Sequence, residues 1–154
     1  MIRLATKNDA EGIGNVLKEC YNIDTVEEGK ETFLNELNKG LLYIIDEQDG
    51  KIIGLTTLKL HGLPKHGLCE LDRIAVCEEF RGKGVAHDLF KALIEEAKKH
   101  FEEKGQKLRK LIILTHSDNF RAHKFYEKLG LKHETTLKDH YYHGKDECVY
   151  SMFF

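Results

Sequence analysis

The residues most able to do chemistry sit in the stretch Arg81-Gly82-Lys83-Gly84-Val85-Ala86. It follows the strand-like run Glu70-Leu71-Asp72-Arg73-Ile74-Ala75-Val76 and precedes a segment whose apolar residues recur at helical spacing. A strand that turns into a helix leaves the first N–H groups of that helix without intrahelical partners, and the helix dipole adds partial positive charge there. Such a place holds anions, phosphate groups above all. Gly82, Gly84 and the small Ala86 let an anion approach the backbone without meeting a side chain, while Arg81 and Lys83 supply counter-charge. The spacing does not match G-x-x-x-x-G-K-[ST], which removes a nucleoside-triphosphate loop. It does not match G-x-G-x-x-G either, because Gly82 and Gly84 are followed by Val85, Ala86 and His87. A tight strand-to-helix turn needs the same glycines, so the stretch alone fixes no ligand.

A second constellation runs Asn119-x-x-Ala122-x-x-Phe125-Tyr126-Glu127-Lys128-Leu129-Gly130-Leu131. At about 100° per residue, Asn119, Ala122, His123 and Tyr126 fall on one stripe of a helix, and Phe125 and Leu129 turn toward the core. Core packing explains a tyrosine at such spacing as readily as function does. Taken together, the run Leu71–Val76, then Arg81-x-x-Gly84-x-Ala86, then the segment from Asn119 resemble the two signatures of the GNAT superfamily of N-acetyltransferases. The likeness covers residues 70–131, with both signatures in the family's order. Ala86 in place of glycine lies within the family pattern.

The resemblance implies that Arg81, Gly82, Lys83, Gly84, Val85 and Ala86 bind the pyrophosphate of coenzyme A. It implies that backbone N–H groups at Ile74, Ala75 and Val76 hold the pantetheine arm and polarise the thioester carbonyl. Asn119 and Ala122 would line that arm, and the Tyr126 hydroxyl would lie near the sulfur and serve the departing thiolate. Acetyl-CoA is then the cosubstrate, and no metal is called for. An alkyl amine with a pKa near ~10 is mostly ammonium at neutral pH, so a base is needed. Glu70 is the candidate, at an offset from Arg81 where several family members carry a catalytic glutamate; a surface carboxylate is its ordinary alternative. Asp72 is the reserve on the same face, and positioning alone also contributes rate. A small-molecule or polyamine-like amine is the expected acceptor. A protein N-terminus or lysine, and a non-catalytic acyl-CoA-binding role, are the rivals.

These residues need a frame to hold them. Capping signals at Thr6/Asp9 and Thr25/Glu28 open two helices, the first with the stripe Ile13, Val16, Leu17 and Cys20. Residues 2–6 read as an edge strand, and Leu41–Asp46 and Lys51–His61 as a hairpin around Asp49-Gly50. A helix to about Lys104, the apolar strand 111–115, a helix ending at Gly130, and strands at Lys132–Leu137 and Glu147–Phe153 complete the pattern. The expectation is one α/β (α+β) domain over residues 1–154: a mixed, mostly antiparallel sheet, helices on both faces, and one parallel strand–helix–strand crossover. At 154 residues the chain suits a single domain with a real core.

Bulk properties narrow the setting. A net charge of -2 gives no general attraction to nucleic acid or to an anionic membrane. No apolar run approaches the ~20 residues of a membrane span, and residues 1–6 form no apolar leader, which points to the cytoplasm. The four cysteines, Cys20, Cys69, Cys77 and Cys148, form no C-x-x-C pair, so reduced thiols are expected rather than disulfides or zinc. His140 and His143 lack a third ligand at metal spacing. Strands exposed near the C-terminus would suit a homodimer.

Overall fold

The computed structural model describes all 154 residues. The Thr6/Asp9 box forms, with the Thr6 N–H donating to Asp9 Oδ2 at 2.7 Å. It opens a short 3₁₀ turn at Lys7–Asp9, and helix α1 follows at Ala10–Cys20. The Thr25 hydroxyl oxygen accepts the Glu28 N–H at 3.1 Å and caps α2, Val26–Asn38. Strand β1 (Ile2–Leu4) pairs antiparallel with β2 (Leu42–Gln48), and β2 with β3 (Lys51–His61). Strand β4 is Leu68–Val76, α3 is Val85–Glu103 and β5 is Lys110–His116. Strands β4 and β5 pair parallel from Leu68↔Lys110 to Glu70↔Ile112, so α3 is the expected crossover helix. Helix α4 (Phe120–Lys128) and strands β6 (Lys132–Tyr142) and β7 (Lys145–Phe153) close the chain. The strands hydrogen-bond in the order β1-β2-β3-β4-β5-β7-β6, a mostly antiparallel sheet with four helices, as the sequence pattern predicts.

Contacts gather the chain into two compact units, Met1–Leu60 with Leu71–His100, and His61–Glu70 with Phe101–Phe154. The first unit buries Ile13, Val16, Leu17, Phe33, Tyr43, Ile45 and Leu55. Its two helices approach backbone to backbone at glycine: a Cβ added to Gly29 would stand 2.8 Å from the Gly14 Cα. Gly54 on β3 admits the start of α3, since a Cβ there would lie 3.1 Å from Leu89 and 3.2 Å from Val85. The second unit buries Leu111, Ile113, Leu131, Val149 and Tyr150. Here β6 runs five residues beyond the expected Leu137, through an irregular register and an Asp139 with φ of +43°. Residues 138–142 are polar and aromatic without clean alternation; the register with β7 breaks after Leu137 and resumes at Tyr142↔Lys145, and the Asp139 N–H donates to Asp146 Oδ1 in between. No helix is long and apolar enough to cross a membrane.

Candidate functional site

The glycine-rich turn lies in the first unit. Gly82 and Gly84 have φ of +74° and +86°, and a Cβ at either would meet nothing within 4 Å. Backbone twist rather than crowding therefore demands glycine, and the turn faces open space. Helix α3 begins at Val85 with 19 residues, long enough for the full terminal dipole. Val85 buries its side chain, so only its backbone is offered. Arg81 ties the turn to β4: its Nε donates to the Val76 carbonyl at 3.0 Å. The Lys83 ammonium stands 5.2 Å from the centre of the Phe80 ring.

Strand β4 has two different edges. The Arg73 carbonyl accepts the Thr56 hydroxyl at 2.9 Å. The Ile74 carbonyl accepts the Tyr21 hydroxyl at 3.1 Å, and the Val76 carbonyl takes Arg81 as well as the Cys20 thiol at 3.7 Å. In a strand the N–H and C=O of one residue leave by the same edge. Ile74 and Val76 thus present their N–H groups on the edge where side chains satisfy the carbonyls. Ala75, between them, puts its methyl into the core.

Arg73 anchors a network that no motif or spacing in the chain announces. Its Nη1 donates to Glu36 Oε2 at 2.5 Å and to the Tyr43 hydroxyl at 3.2 Å, and Tyr43 donates to the same carboxylate. Burial, then the Glu36 carboxylate, push the Tyr43 phenol far above its usual range. Asp72 leans toward the guanidinium at 3.7 Å, which occupies the reserve base.

Glu70 belongs to the second unit and is 7% exposed. Its Oε2 lies 2.6 Å from the Nε2 of His61, the last residue of β3. Sequence reasoning passed over His61. The available signal was its position, since His61 and Glu70 bracket the connection that returns the chain as β4. Cys69, beside Glu70, is fully buried, and burial with the Glu70 charge pushes its thiol up to about 12. A thiol so hard to ionise is a poor nucleophile.

Tyr126 corrects the helical-wheel reading. It is the buried residue of α4 at 8% exposure, whereas Phe125 and Leu129 are only half-buried. Burial pushes its phenol up to about 12, and its ring lies 5.6 Å from Phe125 and 6.2 Å from Tyr150. The Asn119 Oδ1 accepts the Ala122 N–H at 3.2 Å, so the residue caps α4. His116 contacts the buried Glu147, and the His123 ring bonds the His116 carbonyl at 3.0 Å. Asp139 and Asp146 serve the closing hairpin itself: Oδ1 of Asp146 accepts the Asp139 N–H, and Oδ1 of Asp139 accepts the Gly144 N–H.

A parallel β4–α3–β5 crossover with a glycine turn at the helix head, and a capped α4 after β5, define a class of protein rather than a single member. Residues 10–131 match the Acetyltransferase (GNAT) family, and the chain belongs to that family. It is 28% identical over 107 residues to N-acetylaspartate synthetase of Xenopus tropicalis, covering 69% of this chain and 36% of that protein. The chain spans about a third of the length of the curated relatives it matches. A solved acetyltransferase of the GNAT family from Desulfovibrio desulfuricans superposes with a TM-score of 0.82 at 19% identity, over 99% of this chain and 98% of that one. PaiA N-acetyltransferase from Thermoplasma acidophilum, solved in complex with coenzyme A, superposes with a TM-score of 0.72 at 24% identity, over 100% and 98%.

Proposed function

We propose that this chain transfers the acetyl group of acetyl-CoA directly to a primary amine of a small molecule. The observation that carries the reading is the turn at the head of α3. Two glycines held at positive φ face open space before a long helix, the arrangement a pyrophosphate requires. Arg81 and Lys83 provide charge, and the Ile74 and Val76 N–H groups are the donors for the pantetheine arm. Asn119 and Ala122 are assigned to the same arm by family pattern. The thioester supplies the acetyl group.

Glu70 takes the proton of the acceptor ammonium. Tyr126 stays protonated throughout the neutral range, because burial holds its phenol up at about 12. So weak an acid stabilises a leaving sulfur by hydrogen bonding; an ordinary thiol, near ~8.5, would not strip its proton at equilibrium. The name of the Xenopus relative favours a small acceptor.

The test is thiol release from acetyl-CoA with L-aspartate, spermidine and an alanyl peptide, alongside calorimetry with acetyl-CoA. Turnover of a small amine is expected, and Glu70→Gln should lower kcat mainly below the pH where the amine deprotonates unaided. Turnover of the peptide alone would replace the acceptor class. Binding without any turnover would make the chain a sensor rather than an enzyme.

A further inference from the structure

We infer that His61 is a positioning and proton-relay residue that carries protons away from Glu70. The inference rests on Glu70 being the base. The carboxylate is 7% exposed, so a proton collected there leaves through a neighbour rather than straight into bulk water. His61 is that neighbour. Its Nε2 stands 2.6 Å from Glu70 Oε2, while the side chain keeps 32% of its surface open to solvent. One ring nitrogen touches the buried acid, and part of the side chain meets water.

The backbone around the pair fixes this geometry. Gly62 and Gly67, at φ of +62° and +56°, turn the connection between β3 and β4. The His66 ring accepts the Leu63 N–H at 3.1 Å, and the Gly67 carbonyl accepts the Arg109 N–H at 2.8 Å. Glu70 itself sits in register with Ile112 of β5. Cys69 is the adjacent titratable side chain; alternation sends it to the opposite face of β4, and it stays a thiol.

The relay balances with no further reactant. The acceptor ammonium gives one proton to the Glu70 carboxylate and becomes the free amine. Glu70 passes that proton to His61 Nε2 of a neutral ring already protonated on Nδ1. The imidazolium sheds its Nδ1 proton to water, and exchange through water returns the ring to its first tautomer. Once the proton has moved, the Nε2–H donates to Oε2 and holds the Glu70 carboxylate in one orientation.

The experiment is a double-mutant cycle of His61→Gln and Glu70→Gln, with kcat measured against pH on acetyl-CoA and the amine turned over in the panel. Glutamine keeps an N–H donor near Glu70 but relays nothing. The expected result is a tenfold or larger fall in kcat for His61→Gln, an unchanged KM for acetyl-CoA, and no additional loss in the double variant. Added imidazole should restore part of the rate of His61→Ala. Wild-type kcat in His61→Gln beside a slow Glu70→Gln would sink the relay and leave the base intact. Additive losses would sink it too, since His61 would then act independently of Glu70. Full activity in Glu70→Gln, or a panel with no turnover, would remove the underlying reading first.

Discussion

Gly84→Ala separates the two meanings that the glycine turn carries. A methyl there meets no atom within 4 Å, so the variant loses nothing to a clash. It does force an alanine to φ of +86°, and left-handed backbone costs an L-residue about 1–2 kcal/mol. At roughly 2–4 °C per kcal/mol for a chain of this size, Tm should fall by about 2–8 °C, and the protein should remain folded. The methyl also projects into the open space before α3, where the proposal puts the pyrophosphate. Calorimetry at a temperature well below the transition should show the acetyl-CoA Kd raised at least tenfold, or about 1.4 kcal/mol. A lowered Tm with an unchanged Kd would refute the reasoning, for the glycine would then serve only the turn.

Three more expectations follow from particular contacts. Gly29→Ala places a Cβ 2.8 Å from the backbone of Gly14, so α1 and α2 must part; a loss of about 2 kcal/mol is expected in urea denaturation despite the helix propensity gained. Gly12→Ala meets only the flexible end of Ile52 and should cost far less, so equal losses would contradict the backbone argument. Hydrogen bonds from Arg3 hold the Asp9 carboxyl down at about 2, and a depressed carboxyl stabilises the fold above its unfolded pKa and stops doing so as pH falls through 2. Asp9→Asn should therefore cost roughly 1–2 kcal/mol at pH 7 after solvent screening, and the difference from wild type should vanish near pH 2 in acid unfolding. Tyr126→Phe should lower kcat about tenfold at saturating acetyl-CoA with little change in Tm. Full turnover in that variant would free the phenol of its role.

How much was legible can be judged residue by residue. The element order was readable because local rules write it: capping at Thr25, periodicity in α1 and α3, glycine after α4 at Gly130. The turn at Gly82 and Gly84 was legible for the same reason, since its φ values are a property of the chain within a few residues. Two local readings needed correction. The box at Thr6 opened a 3₁₀ turn before the helix, and β6 outran its pattern across a break in register, resuming with β7 at Tyr142↔Lys145.

Burial on α4 was decided above the level of the helix. A wheel gives the angle between Phe125 and Tyr126 but not which of them meets a neighbour, and Tyr150, on β7, is what lies beside Tyr126. The His61–Glu70 pair depends on the connection that folds residue 61 against residue 70. The Arg73–Glu36–Tyr43 network joins β4 to α2 and β2, with Arg73 lying 37 and 30 residues from its two partners. The two motifs, read in order, carried the resemblance to the family that residues 10–131 match, and the glycine turn was legible because it rests on short-range backbone geometry. Only the tertiary structure decided which side chains share a proton or a charge, because those interactions act over a few ångströms between residues that the sequence keeps apart.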